Sequence, residues 1–114
     1  MFDFENLEVY SKSKIFNQTI FRLIQSHKYD RTTNDQLRRA SFSIMLNIAE
    51  GSGRFSKKDK RNFYIIARGS VYECVAILDY LKDTEQLDRE IFKNYYQNLE
   101  ELSKMLYAMI KNLS

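Results

Sequence analysis

The segment Gln36-Leu-Arg-Arg-Ala-Ser-Phe-Ser-Ile-Met-Leu-Asn-Ile-Ala-Glu-Gly51 decides the fold, because it combines a helical repeat with apolar residues on most of its surface. Two neighbouring apolar stripes run along it. The first consists of Leu37, Ser41, Ile44 and Ile48, and the second of Phe42, Met45, Leu46 and Ala49. A helix with so much apolar surface lies at the centre of a fold or is also buried against another subunit. The segment therefore predicts a central helix in a protein that self-associates.

Helical repeats continue on both sides of this segment. A third helix is predicted to begin after Ser56 and to run to about Leu81, and a fourth to begin after Asp88. Ser56 and Asp88 are the predicted N-cap residues of these two helices. Asp3 and Thr33 are the corresponding candidates for the first two helices. The apolar stripes are Val9, Phe16, Ile20 and Leu23 in the first helix, Phe63, Ala67, Ser70, Cys74, Ile77 and Leu81 in the third, and Ile91, Tyr95, Leu99, Leu102, Leu106, Met109 and Leu113 in the fourth. Four such helices joined by short loops predict an all-α, antiparallel up-and-down four-helix bundle.

Composition supports this prediction and excludes several classes of protein. The 114 residues include no proline and three glycines, so helix breakers are nearly absent, and we expect residues 1–114 to form a single domain. The only cysteine, Cys74, lies on an apolar stripe and is expected to be a buried, unreactive thiol. No apolar run approaches the roughly 20 residues that span a bilayer, and the first residues are acidic, unlike a signal peptide. We expect a cytoplasmic protein with no cofactor, metal, small-molecule substrate or membrane partner.

The charges are distributed unevenly, although the net charge is only +3. From Lys28 to Arg68, ten basic residues accompany four acids, a net charge of +6; from Glu73 to Glu101, three accompany eight, a net charge of −5. Cations bind phosphates, and tyrosine rings stack on unpaired bases. The predicted nucleic-acid-binding residues are Arg54, Lys57, Lys58, Arg61, Tyr64 and Arg68. The alternative is a solvated helix face whose long side chains cover apolar surface.

A polar line crosses the otherwise apolar second helix. It is formed by Arg39, Ser43, Asn47 and Glu50, at spacings of four, four and three. Because amides and carboxylates are costly to bury alone, we interpret Arg39, Asn47 and Glu50 as a structural clamp between the second and third helices. The alternative is acid–base catalysis by Glu50, for which the sequence offers no second catalytic group. We therefore predict no catalytic residue, and we expect Gly51 to end the helix in a left-handed conformation.

Several of these motifs together resemble a bacterial family of four-helix-bundle proteins whose founding members are encoded in intervening sequences of the large-subunit ribosomal RNA gene. The motifs are Phe4 to Tyr10, Gln36 to Ala40, Ser43-Ile44, Asn47 to Gly51, Arg54, Ser56, Phe63, Ala67, Gly69-Ser70 and Glu73. The family often has a proline where this chain has Met45. The resemblance implies protomers that assemble into a ring, commonly a pentamer, and a role in binding nucleic acid. It implies no catalytic residues.

Three classes of function follow from these features. The leading hypothesis is a non-enzymatic homo-oligomer that binds RNA or DNA through its basic surface, which ring symmetry would multiply. The second is an interaction scaffold, in which the basic and acidic segments pair across protomers. A related family serves as an accessory subunit of the reverse transcriptase of diversity-generating retroelements, and its role is a further alternative. An enzyme such as a nuclease is disfavoured because no metal or acid–base group is apparent.

Overall fold

Four α-helices make up nearly all of the chain in the computed structural model, which describes residues 1–114. They are α1 (Glu8–Ser26), α2 (Arg31–Ser52), α3 (Lys57–Asp83) and α4 (Arg89–Asn112), and a 3-10 turn at Asp3–Asn6 precedes them. Each helix packs against its neighbour in sequence, and α1 also packs against α4. The dimensions are 44 × 24 × 21 Å, as expected for helices aligned along one axis. The predicted all-α four-helix fold is confirmed.

Two of the four predicted N-caps are confirmed. The Ser56 hydroxyl accepts a hydrogen bond from the backbone N–H of Asp59 at 3.0 Å, and the Asp88 carboxylate accepts from two N–H groups of the first turn of α4. The Asp3 and Thr33 predictions were wrong. Asp3 lies in the 3-10 turn, and α2 is capped by Asp30, whose carboxylate accepts from the N–H of Thr33 at 2.8 Å. The hydrogen bond from the Thr33 N–H favours the ionised form of the Asp30 carboxyl group and so lowers its pKa.

The second helix does not end at Gly51 as the sequence suggested. It continues to Ser52, and no glycine in the chain has a positive φ. Gly51 is buried against α3, where a Cβ atom would lie 2.7 Å from Cε1 of Tyr64 and 3.0 Å from Cβ of Phe63. Glycine is therefore required here because the Tyr64 ring occupies the place of a side chain, not because of backbone strain.

The core lies largely between the predicted stripes, but on α3 it is shifted: Tyr64, Val71 and Leu78 are buried, whereas the predicted Phe63 and Ile77 are only half-buried. The fully buried side chains of the core include Ile20, Leu37, Ile44, Ile48, Leu78, Leu81, Leu99, Leu102 and Leu106. Cys74 is among the buried residues, and burial raises the pKa of its thiol to about 12, as expected for an unreactive cysteine. The stripe of α4 is buried only in its middle, because Ile91 is exposed and Tyr95 and Met109 are half-buried.

The second apolar stripe of α2 is not covered within the chain. Phe42 and Leu46 are 42% and 41% exposed, and Met45 and Ala49 are half-buried. We call these four residues the α2 outer strip. They leave apolar surface that a single bundle does not bury.

The Gly51 contact generates a prediction about stability. Gly51→Ala should lower the free energy of unfolding by about 1 to 3 kcal/mol, because the overlap with Tyr64 outweighs the higher helix propensity of alanine. Gly69→Ala is the matched control, since Gly69 lies in the middle of α3 and a Cβ there meets no atom within 4 Å. The free energy of unfolding of this control variant should rise by about 0.5 to 1 kcal/mol. Urea unfolding of the two variants at low protein concentration measures both values, and a stabilising Gly51→Ala would contradict this explanation.

Candidate nucleic-acid interface

The turn between α2 and α3 presents a group of exposed side chains that we call the cationic corner, consisting of Arg54, Phe55, Lys57 and Lys58. The chain turns sharply here because the backbone N–H of Arg54 donates to the carbonyl of Gly51 at 3.2 Å, and α3 starts three residues later. Lys57 and Lys58 lie in the first turn of α3, and neither forms an ion pair within the chain. Two exposed cations therefore lie side by side with no ion-pair partner in the chain.

Arg54 is held loosely at this corner. Its Nη2 lies 3.8 Å from Oε2 of Glu50, and its guanidinium lies 4.5 Å from the centre of the Phe63 ring. About half of each charged side chain remains exposed, and ion pairs of this kind contribute between 0 and about 1 kcal/mol. Arg54 can therefore exchange Glu50 for a phosphate at little cost.

Phe55 is the functional candidate that the sequence reasoning missed. Its ring is fully exposed, between Arg54 and the N-cap Ser56. An aromatic residue in a turn belongs to neither helical stripe, and that position was the available signal. An exposed ring beside cations is the arrangement on which unpaired bases stack.

The predicted clamp of Arg39, Asn47 and Glu50 between α2 and α3 does not form: a hydrogen bond between two serines joins the helices here, and Asn47 bonds only within α2. Oγ of Ser70 donates to Oγ of Ser43 at 2.8 Å, and Nδ2 of Asn47 donates to the carbonyl and hydroxyl of Ser43 at 2.9 and 3.0 Å. Arg39 forms no hydrogen bond or ion pair and, like Glu50, is exposed. The inclusion of Arg39 and Glu50 was wrong, because both lie on the outer side of α2, where α3 does not reach them.

Tyr64 is also placed differently from the prediction. It is buried against Gly51, and burial raises the pKa of its phenol. Its ring belongs to the core and is not available to stack on a base, so assigning it to an exposed face was wrong. The helical spacing that grouped it with Arg61 and Arg68 does not determine which of several neighbouring aromatic residues faces inward.

Lys60 and Arg61 lie one turn further along α3 and are half-buried. Nζ of Lys60 donates to the carbonyl of Ser52 at 2.8 Å, so this cation satisfies the end of α2, where the helix dipole favours positive charge. Nε of Arg61 is buried and has no hydrogen-bond partner in the chain. Arg61 forms no ion pair within the chain, whereas Lys60 has a structural role.

Arg68 connects α3 to α4 instead of standing free. Its Nε donates to the carbonyl of Ser103 at 3.3 Å, and its Nη2 donates to the hydroxyl of Tyr72 at 3.2 Å. The guanidinium lies 5.1 and 5.5 Å from the ring centres of Tyr72 and Tyr107, within the range of cation–π attraction. Arg68 belongs to a groove of about 580 Å³ between the two helices. The lining residues are Arg61, Ile65, Arg68, Gly69, Tyr72, Tyr107 and Ile110.

The profile of the 23S rRNA-intervening sequence protein family matches residues 5–108. The chain belongs to this family. A solved structure of a protein of unknown function from the S23 ribosomal protein family of Bacteroides thetaiotaomicron is similar, with 28% sequence identity and a TM-score of 0.86. The similarity covers 90% of this chain and 98% of that one. The comparison with curated proteins gives no match.

Two classes of site can be assessed directly from this member of the intervening-sequence family. None of its helices combines the length and the apolar character needed to cross a membrane. No three acidic, histidine or cysteine side chains are grouped closely enough to hold a metal ion.

The contacts of Arg68 predict that it contributes more to stability than the corner lysines do. Arg68→Gln should lower the free energy of unfolding by about 1 to 2 kcal/mol, because its hydrogen bond to the Ser103 carbonyl of α4 and its contact with the Tyr107 ring are lost. Lys57→Gln, which removes an equal charge from an exposed position, should change it by less than about 0.5 kcal/mol. Urea unfolding followed by circular dichroism compares the two variants. Equal midpoints would show that Arg68 is not structural.

Proposed function

We propose that this protein is a non-enzymatic homo-oligomer that binds RNA or other nucleic acid through the cationic corner. The observation that carries the proposal is the pair of exposed, unpaired lysines, Lys57 and Lys58, beside the half-exposed Arg54 and the exposed ring of Phe55. Cations bind phosphates with the release of counterions, and an exposed ring adds stacking. Membership of a family named for intervening sequences of 23S rRNA supports RNA as the nucleic acid and the cytoplasm as the location.

Self-association belongs to the same proposal. The α2 outer strip supports it, since Phe42 and Leu46 are large apolar side chains left in water. We propose that these residues contact a neighbouring protomer in a ring. The specific form that we propose is the pentamer implied by the family resemblance. A ring repeats the corner once per protomer, so that weak phosphate contacts add up to useful avidity.

The binding proposal is tested by removing charge from the corner. A variant with Arg54, Lys57, Lys58 and Arg61 all replaced by glutamine should bind a structured RNA hairpin much more weakly at low salt. Each lost phosphate contact should also reduce the slope of log K against log salt by about 0.7 to 0.9. Fluorescence anisotropy over a salt series measures both quantities.

The matched control removes the same charge elsewhere. Lys14, Arg22, Arg89 and Lys93 are exposed and form no ion pair, and their replacement by glutamine should reduce binding only slightly. Equal losses in the two variants, or binding by the native protein that does not depend on salt, would contradict the proposal.

An interaction scaffold is the second candidate, because the chain has a basic and an acidic half. In this alternative, the corner cations pair with acids of another protomer or protein, and little cationic surface remains free. The native protein would then fail to bind the RNA hairpin even at low salt. Such a failure would favour the scaffold over the nucleic-acid proposal.

A further inference from the structure

Gly69 is unexplained by the packing of a single chain. It lies near the middle of the 27-residue helix α3, where glycine costs about 0.5 to 1 kcal/mol relative to alanine. Unlike Gly51, it faces open space: a Cβ atom there would have no neighbour within 4 Å. The chain thus keeps a gap beside the α3 backbone that none of its own side chains fills.

The gap lies on an outward face of α3 with a regular repeat. Ile65, Gly69, Tyr72 and Ala76 follow one another at spacings of four, three and four, on the side of the helix away from the core. Ile65 and Tyr72 are 43% and 58% exposed. The repeat matches the a and d positions of a coiled coil, so this face has the pattern of a helix that packs against another helix.

The two ends of this face carry opposite charge. The same spacing extends to Lys58 and Asn62 at the start of α3 and to Asp79 and Asp83 at its end. Lys58 has no acidic partner. Asp79 and Asp83 share one lysine, Lys82, whose Nζ lies 3.0 and 3.5 Å from their carboxylates. A second copy of the helix that runs in the opposite direction would therefore place positive charge against negative charge at both ends.

The antiparallel arrangement also matches the sizes of the side chains. With a two-fold axis level with the peptide between Ser70 and Val71, Gly69 faces Tyr72 of the second copy and Ile65 faces Ala76 of the second copy. The same axis places Asn62 opposite Asp79, and Lys58 opposite Asp83. Each of these four facing pairs then joins a large residue to a small one, or a carboxylate to a hydrogen-bond donor. Such a surface is self-complementary, as a two-fold contact requires.

We propose that two copies of this protein pair in antiparallel fashion through the outward face of α3, with Tyr72 of each copy seated over Gly69 of the other. This contact is distinct from the proposed ring contact through the α2 outer strip, since it uses one face twice. It also uses Lys58, so RNA phosphates and Asp83 of the second copy compete for that side chain.

The register is tested by disulfide cross-linking between two single-residue variants. Ile65→Cys and Ala76→Cys are prepared separately, one with a mass tag, and then oxidised alone or mixed. The mixture should give several-fold more cross-linked dimer than either variant alone, because residue 65 of one copy lies opposite residue 76 of the other. Two copies of residue 65 would lie about 16 Å apart along the helix axis, beyond the roughly 7 Å that a disulfide allows between Cα atoms. The native Cys74 is buried and serves as the unreactive background.

Equal yields in the mixture and in the separate variants, or no cross-linked dimer in any sample, would overturn the proposal. Gly69→Leu in both cysteine variants is the packing control. A Cβ atom at residue 69 meets no atom of its own chain, and the rest of the leucine side chain enters the open groove beside α3, so the fold should persist by circular dichroism while the cross-linked yield falls several-fold. An unchanged yield would show that the two helices do not meet at Gly69.

Charge reversal separates this contact from RNA binding. Lys58→Glu should reduce both the cross-linked yield and the affinity for the RNA hairpin. Addition of Asp83→Lys in the same chain should restore the cross-linked yield, because the ion pair is re-formed with exchanged signs. The RNA affinity should stay low, because the cationic corner still lacks the charge of Lys58. Failure of the second change to restore the yield would contradict the pairing of residues 58 and 83.

Discussion

The close approach of α2 and α3 at Gly51 is the constraint on which the rest of the structure depends. The Tyr64 ring occupies the space that a side chain of residue 51 would need, so the two helices meet with almost no gap. Because they meet there, α2 continues to Ser52 and the connection to α3 is only four residues long. Nζ of Lys60 then reaches the last carbonyl of α2. The same short turn leaves Phe55, Lys57 and Lys58 projecting into solvent.

The basic residues of the chain divide into those that hold the fold and those that remain available. Lys60 satisfies a helix end, and Arg68 joins α3 to α4 through the Ser103 carbonyl and the Tyr107 ring. Lys57 and Lys58 have no partner, and Arg54 has only an exposed one. The net charge of the basic segment therefore overstates the surface that can attract phosphates. Arg54, Lys57 and Lys58 form one small cluster of available charge beside one turn, and only repetition in an oligomer would make that cluster large.

The sequence predicted what depends on local spacing and missed what depends on contacts between helices. The caps Ser56 and Asp88 and the buried middle of α4 follow from residues within one or two turns, and they were predicted correctly. Tyr64 was misplaced because its burial requires the glycine of another helix. Two partners of Arg68, Ser103 and Tyr107, lie on α4, about 35 residues or more further along the chain, and no local pattern indicates them. Ser70 as the partner of Ser43 likewise becomes visible only when the two helices are placed together.

The proposed role of the corner is tested most directly by mapping where RNA binds. Backbone amide chemical shifts of the isotopically labelled protein can be followed at low salt while a structured RNA hairpin is added. The largest changes should occur in the turn and the first turn of α3, between Arg54 and Arg61, and the acidic turn after Asp83, from Glu85 to Asp88, should change much less. Changes centred on the acidic turn, or no changes at any residue, would contradict the account.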